Sequence, residues 1–158
     1  FSEAMQILPD EGFHYNMPFF SSLFFLRPCL KNAHDCMEGD SILTRLALKG
    51  DRYMQEALVE GIEQMQFEYG VDDNGDVLVD RYLNAYQVSD WSQVLSVKIF
   101  LLVRSRTQDR SMDEKGKLYV MNSTASQVDN THRIAEKSRY FPRRLYQSEV
   151  VLRNRVIN

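Results

Sequence analysis

The chain lacks an apolar run long enough to cross a membrane. Its longest such stretch, "MPFFSSLFFL", covers ten residues, Met17–Leu26, whereas a membrane-spanning helix needs roughly 20. It also lacks the bias of a disordered chain, because 44% of its residues are hydrophobic and 26% are charged. The 158 residues are enough for one soluble globular domain with a sizeable core.

Catalytic motifs are also absent. The sequence contains no Gly-rich phosphate loop, no His-Glu-x-x-His and no nucleophile elbow. Its three histidines, His14, His34 and His132, stand apart from one another. We therefore expect no enzyme and no cofactor. The one catalytic alternative left open is a dyad of Cys36 with His132.

Cysteine is scarce, and its spacing carries information. Cys29 and Cys36 are the only two, in "RPCLKNAHDC". An even count at short spacing favours a loop-closing disulfide in an oxidising compartment, and two reduced buried thiols are the alternative. A zinc site with His34 is disfavoured, because no second pair of ligands completes the four that structural zinc needs.

Charge is divided unevenly along the chain. Residues 1–97 contain 6 Lys/Arg and 16 Asp/Glu, whereas residues 98–158 contain 13 Lys/Arg and 6 Asp/Glu. The basic residues are scattered singly rather than clustered, which favours two halves that pack together or line an assembly contact over a nucleic-acid surface. Within "RYFPRRLY", Arg143 and Arg144 are the candidates for partner binding.

Hydrophobic periodicity predicts a strand-rich fold. "SILTRLAL" and "RRLYQSEVVLRNRV" read as strands, and Met65, Phe67, Tyr69 and Val71 share one face at period two. In "VKIFLLV" both faces are apolar, so we place this strand at the centre of its sheet. "DVLVDRYL" is expected to pair with the strand before it, and a short strand is expected near Leu118–Met121. "EALVE" is read as a helical turn, "FSEAMQIL" as a helix end, and "STASQVDNTHRIAEKS" as a long loop.

These elements predict one domain over residues 1–158. An irregular, aromatic-rich segment, 1–40, precedes a strand-rich core, 41–158. The fold class is α+β, mostly β, with an antiparallel sheet.

The acidic stretch "YGVDDNGDVLVDRY" admits two physical interpretations. Asn74-Gly75 is the preferred pair for a tight type I′ hairpin turn. Alternatively, Asp72, Asn74, Asp76 and Asp80 occupy positions 1, 3, 5 and 9 of a calcium-loop count. Val77 replaces the glycine at position 6, and Leu83 replaces the bidentate glutamate at position 12. We therefore prefer the turn over a weak calcium site.

Three separated segments resemble the C-terminal periplasmic domain of PilW-type minor pilins of type IV pili. They are "LVEGIEQMQFEYGVDDNGDVLVDRY", "VSDWSQVLSVKIFLLVRS" and "RRLYQSEVVLRNR", in the family's order, and they lie between Leu58 and Arg155. The resemblance implies a pilin-like domain whose N-terminal helix is largely absent from this chain. It also supports a Cys29–Cys36 disulfide, because the periplasm is oxidising.

The role implied by this resemblance is structural. Such minor pilins prime pilus assembly and sit at or near the pilus tip with other minor pilins, the major pilin and a large tip adhesin. An N-terminal apolar helix anchors them in the bacterial inner membrane before they enter the extracellular pilus, which serves motility, adhesion or DNA uptake. The alternatives are a J-type pseudopilin of type II secretion and, more weakly, a pilus-associated DNA-binding module.

Overall fold

The computed structural model describes residues 5–7, 15–17, 20–29, 40–123 and 130–152. The chain divides into two compact units, an N-terminal unit, Phe1–Glu60, and a C-terminal unit, Gly61–Asn158. The expectation of a single domain over 1–158 stays a prediction.

The N-terminal unit is built from antiparallel strands. Strands β1 (Met5–Ile7) and β2 (Tyr15–Met17) form one pair. Strands β3 (Ser22–Pro28), β4 (Ser41–Lys49) and β5 (Arg52–Glu60) form a three-stranded sheet in that order.

Three expectations for this unit are wrong. β1 lies where the end of a helix was expected, β3 lies inside the segment expected to be irregular, and "EALVE" belongs to β5. In each case cross-strand pairing with a neighbour overrides a weak local pattern, because strand propensity depends on the partner that the chain finds.

The C-terminal unit centres on a four-stranded antiparallel sheet. Its strands are β6 (Ile62–Val71), β7 (Arg81–Leu83), β8 (Val94–Arg104) and β11 (Arg143–Val151), in the order β11-β8-β6-β7. Strands β9 (Leu118–Val120) and β10 (Thr131–Arg133) form a separate pair. Single turns of 3-10 helix cover Ala85–Gln87, Trp91–Gln93 and Glu136–Ser138.

Strand β8 is central, as its two apolar faces predicted. It pairs with β11 on one side and with β6 on the other. Phe100 and Leu102 point to the face that forms the buried core, where they meet Tyr119, Met121 and Ile134. The residues between β8 and β11 therefore cover that face and supply the rest of the core.

Other parts of the unit differ from the sequence-based expectation. β7 pairs with β6 for only three residues, so most of "DVLVDRYL" is loop rather than strand. The segment expected to be one long loop contains β10 and the 3-10 turn Glu136–Ser138. Three-residue elements are too short to produce a periodic signal. The predicted class, mostly β with antiparallel sheets, is confirmed.

We predict that Gly61, between β5 and β6, cannot accept a side chain. Its φ is +78°, and a Cβ there would lie 2.9 Å from the backbone oxygen of Arg104. Gly116 has a similar φ of +69° with open space around it. Gly116→Ala should cost about 1 kcal/mol for the left-handed conformation. Gly61→Ala should cost clearly more, because it adds a clash with backbone. Urea unfolding of both variants measures the difference, and equal losses would contradict the steric argument.

Candidate functional site

The acidic loop between β6 and β7 is organised around the Asp72 side chain, which is 1% exposed. Asp72 Oδ1 accepts a hydrogen bond from the backbone N–H of Gly75 at 2.6 Å, and Oδ2 accepts one from Val77 at 3.0 Å. The backbone N–H of Asp72 itself donates to the carbonyl of Gln93 at 3.0 Å. One buried carboxylate therefore replaces the cross-strand bonds that a tight hairpin would use.

The exposed side chains of the loop are also joined to one another. Asp80 Oδ2 accepts from the backbone N–H of Asp73 at 2.8 Å, and Oδ1 accepts from the Asn74 side-chain amide at 3.3 Å. The same amide donates to Asp76 at 3.3 Å. Arg81 forms an ion pair with Asp73, its Nε lying 2.6 Å from Oδ2. These contacts fix the loop from within.

The expected type I′ turn at Asn74-Gly75 is wrong. That turn needs positive φ at both central residues, and Gly75 has a φ of +84° while Asn74 does not have a positive φ. The second left-handed residue is Val77, with a φ of +68°. A β-branched residue rarely adopts this conformation, and here the hydrogen bond from its N–H to Asp72 holds it there.

The calcium hypothesis for Asp72, Asn74, Asp76 and Asp80 stays a prediction. All four side chains lie in one loop, but their oxygens or amides are engaged by the loop's own donors and acceptors. Across the described residues, no group of three or more His, Cys, Asp or Glu side chains is placed to hold a metal ion. A bound cation would have to compete with the internal hydrogen bonds of the loop.

Arg143 is the centre of a buried polar cluster. Its side chain is 0% exposed. Its Nε and Nη2 donate to the two carboxylate oxygens of Glu63 on β6, and its Nη1 donates to the backbone carbonyls of Ser138 and Phe141 at 3.0 and 2.7 Å. Glu114 Oε2 lies 3.5 Å from the same Nη1. The charged partners raise the pKa of Arg143 although its burial opposes this, so the guanidinium is charged at every relevant pH.

Glu114 connects this cluster to the apolar core. Its Oε1 accepts hydrogen bonds from Lys117 Nζ at 2.9 Å and from the Tyr119 hydroxyl at 2.8 Å. Burial alone raises the pKa of Glu114, but the hydrogen bonds from Lys117 and Tyr119 outweigh it. The pKa therefore lies below its ordinary value of 4.5.

These contacts correct the expected role of Arg143. We expected both Arg143 and Arg144 to bind a partner, but a fully buried guanidinium cannot reach one. Arg144, the next residue on β11, is exposed, and its guanidinium carbon lies 5.6 Å from the centre of the Tyr146 ring. Of the two predicted residues, only Arg144 remains available at the surface.

The partners of Arg143 are not indicated by any local pattern in the sequence. Glu63 is separated from it by 80 residues, so no local spacing could have indicated the pair. Glu114 lies in the connection between β8 and β9, where the sequence shows no motif or periodic pattern that marks it. The one usable signal was the excess of acid before residue 98 and of base after it.

The cysteine predictions lie partly outside the described residues. Cys36, His14 and His34 fall there, so the Cys29–Cys36 disulfide and the Cys36–His132 dyad stay predictions. Cys29 itself is buried, and its backbone N–H donates to the carbonyl of Asp40 at 2.8 Å, which closes the connection between β3 and β4. His132 Nε2 lies 3.9 Å from Glu63.

Comparison with known proteins gives one match. The family model described as Type IV Pilus-assembly protein W matches residues 33–154. No curated protein and no solved structure matches significantly. Among the residues that the structure describes, there is no helix with the length and apolar character that crossing a membrane requires.

We predict that removing the Arg143 guanidinium destabilises the fold strongly. Arg143→Met keeps the side-chain length but leaves the half-buried carboxylate of Glu63 and the buried carboxylate of Glu114 without their cation, at a cost of about 3–5 kcal/mol. The matched variant Arg144→Met, one residue along the same strand, should change the free energy of unfolding by less than about 0.5 kcal/mol. Urea denaturation of both proteins tests this, and similar losses would refute the central role of Arg143.

Glu114 should make stability depend on pH. Because its pKa is lower in the folded chain than its ordinary 4.5, its contribution is complete above about pH 4.5 and is lost as the pH falls through the folded-state pKa. Glu114→Gln should therefore be less stable than the parent chain at neutral pH and should lose less stability between about pH 5 and pH 3. Thermal unfolding across this range is the measurement. Parallel pH profiles would show that Glu114 is not the group responsible.

Proposed function

Because the chain belongs to the PilW family of type IV pilus-assembly proteins, we propose that it is a structural minor pilin that primes pilus assembly. Its role in type IV pilus assembly follows from the family, whose members are structural and assembly proteins. We place it at or near the pilus tip, beside other minor pilins, the major pilin and a large tip adhesin. Motility, adhesion or DNA uptake would be the processes served.

The observation that carries this proposal is the exposed edge strand β11. It pairs with β8 over nine residues, Arg143–Val151, and no strand of the described chain pairs with its other side. Tyr146 and Val150 are each 49% exposed, and Val151 is 66% exposed. A long edge with exposed apolar side chains is an aggregation hazard in a free monomer, whereas it suits a subunit that is covered by neighbours.

Charge supports a heterologous contact along this edge. The C-terminal unit, Gly61–Asn158, contains 14 Lys/Arg and 13 Asp/Glu, so it is almost neutral. The N-terminal unit, Phe1–Glu60, contains 5 Lys/Arg and 9 Asp/Glu, so it is acidic. Arg144 lies exposed on β11 beside Tyr146. A head-to-tail stack would bring Arg144 of one subunit against the acidic N-terminal unit of the next, which would favour association and fix its register.

The location follows the same proposal. The family implies association with the cell envelope and the pilus. We propose residence in the bacterial inner membrane and periplasm, through an apolar N-terminal helix of the kind the family uses, before incorporation into the extracellular pilus. The oxidising periplasm would allow the Cys29–Cys36 disulfide.

Two alternatives carry less support. A J-type pseudopilin of type II secretion would have a similar architecture and would serve a different machine. A DNA-binding module would need exposed cations in "RYFPRRLY". There, Arg143 is buried, and Arg139 lies 2.7 Å from Glu136 and 3.6 Å from Asp113. We therefore rank DNA binding last.

We predict that deleting the gene abolishes surface pili and leaves type II secretion intact. Both are assayed in the same strain, and complementation with the parent chain should restore the pili. Complementation with Arg144→Glu should restore them poorly, because the substitution reverses the charge on β11. Arg133→Glu, which reverses an exposed charge on β10, serves as the control.

Lost secretion with normal pili would establish the pseudopilin alternative. Full complementation by Arg144→Glu would show that the charge on β11 is not needed for the assembly contact, and it would not contradict the role in the pilus.

A further inference from the structure

Strand β7 has a short pairing with the sheet, and the acidic loop leads directly into it. β7 pairs with β6 over three residues, Arg81–Leu83, whereas β11 pairs with β8 over nine. Such a short antiparallel ladder contributes few backbone hydrogen bonds. Asp80, directly before β7, accepts hydrogen bonds through its side chain from Asp73 and Asn74. The arrangement of the acidic loop therefore depends on a segment that its own ladder holds weakly.

The Tyr82 side chain adds a contact outside this ladder. Tyr82 lies beside Gly70 of β6, and Gly70 lies beside Ser96 of β8. The Tyr82 hydroxyl reaches past both of these strands and donates a hydrogen bond of 2.7 Å to Glu149 Oε1 on β11. Because the strand order is β11-β8-β6-β7, this one bond joins the first and the last strand of the sheet.

Small residues on the two middle strands leave room for this contact. A Cβ added to Gly70 would overlap Ser96 Oγ, so a side chain on β6 would disturb the arrangement. Ser96 is buried, and its hydroxyl donates to the same Glu149 Oε1 at 2.7 Å. Ser96 therefore holds the carboxylate within reach of Tyr82.

Charge strengthens the contact. Lys98 of β8 lies beside Glu149 in the strand register, and its Nζ is 3.2 Å from the centre of the Tyr82 ring. Hydrogen bonds from Ser96 and Tyr82 hold the pKa of Glu149 below its ordinary value of 4.5, so this carboxylate is charged at neutral pH. Burial, the bond to Glu149 and, to a smaller extent, the charge of Glu68 raise the pKa of Tyr82 above 10.0. A hydrogen bond to a charged acceptor is stronger than one between neutral groups.

We propose that the Tyr82–Glu149 contact holds the segment Asp80–Leu83 on the sheet, and that its loss opens this segment locally while β6, β8 and β11 stay paired. Proteins open in such local units where one part has few contacts of its own. Because Glu149 lies on β11, the stability of the acidic loop is set at the opposite edge of the sheet. A ligand that drew Glu149 away would release the loop, and by linkage a ligand of the loop would act on the β11 edge. The inference concerns the fold and does not depend on the role in the pilus.

Two conservative substitutions, each with a matched control, test the proposal. Tyr82→Phe removes only the hydroxyl, and Tyr146→Phe removes the hydroxyl of an exposed tyrosine on β11. Glu149→Gln removes the charge and keeps the shape, and Glu56→Gln makes the same change at an exposed position on β5.

Amide hydrogen exchange of the full chain is measured at neutral pH in low, increasing concentrations of urea. The Asp80 amide, which donates to the Val71 carbonyl at 2.9 Å, reports the opening of the segment. The amides of Phe100 and Leu102, on the central strand β8, report unfolding of the sheet. In the parent chain we expect Asp80 to exchange faster than these two and with less dependence on urea, because a local opening exposes little surface.

Tyr82→Phe and Glu149→Gln should speed exchange at Asp80 about tenfold, still with little dependence on urea. Phe100 and Leu102 should speed up by a similar factor with their full urea dependence, because unfolding of the sheet also breaks the contact. The two control variants should exchange like the parent chain. Glu149→Gln should also lower the pKa of Tyr82, which NMR titration of ring-labelled tyrosine follows and the Tyr82→Phe spectrum assigns.

Three results would overturn the inference, and none of them bears on the role in the pilus. An Asp80 exchange rate that Tyr82→Phe leaves unchanged would show that the segment opens without breaking the contact. Exchange of Asp80 with the same free energy and urea dependence as Phe100 and Leu102 would show that the segment does not open separately from the sheet. An unchanged Tyr82 pKa in Glu149→Gln would show that the two side chains do not meet in solution.

Discussion

The guanidinium of Arg143 sets the conditions under which the C-terminal unit can fold. A buried charge is tolerated only when it is paired and fully hydrogen-bonded, and here the partners come from three distant places: Glu63 on β6, Glu114 in the loop after β8, and the carbonyls of Ser138 and Phe141. The loop that supplies Glu114 also brings Tyr119 over the sheet, since its hydroxyl bonds to the same carboxylate. The polar cluster and the apolar core are therefore connected through the contact of Glu114 with Tyr119.

Within the C-terminal unit, the predictability of the fold follows the length of its elements. β6, β8 and β11 each span nine residues or more, long enough for period-two patterning to show, and the two apolar faces of β8 indicated its central place. The three-residue strands β7 and β10 are too short to show a periodic pattern, and they form because a neighbouring strand pairs with each of them. Pairing across a separation of 80 residues, as between Glu63 and Arg143, leaves no local trace.

The turn failed as a prediction for a different reason. Asn-Gly predicts a type I′ turn well only when no side-chain acceptor competes for the backbone N–H groups of the loop. Here the two oxygens of the buried Asp72 carboxylate accept hydrogen bonds from such N–H groups. Side-chain acceptors of this kind compete with regular turn geometry. The charge imbalance is reflected in the ion pair of Glu63, which precedes residue 98, with Arg143, which follows it. Most of the described Lys and Arg side chains after residue 98 are nevertheless exposed, Arg144 among them, and the packing of an acidic half against a basic half stays a prediction.

The acidic loop also affects the chemical stability of the protein over time. Asn-Gly is the dipeptide most prone to spontaneous deamidation, in which the glycine nitrogen attacks the asparagine side chain and leaves an extra negative charge. Here the Gly75 N–H is bound to Asp72 Oδ1, and the Asn74 amide is bound to Asp76 and Asp80. Both reacting groups are held in other contacts, and a new carboxylate would arise among four existing ones. We therefore expect the folded loop to slow a chemical change to which the same dipeptide is open in an unfolded chain.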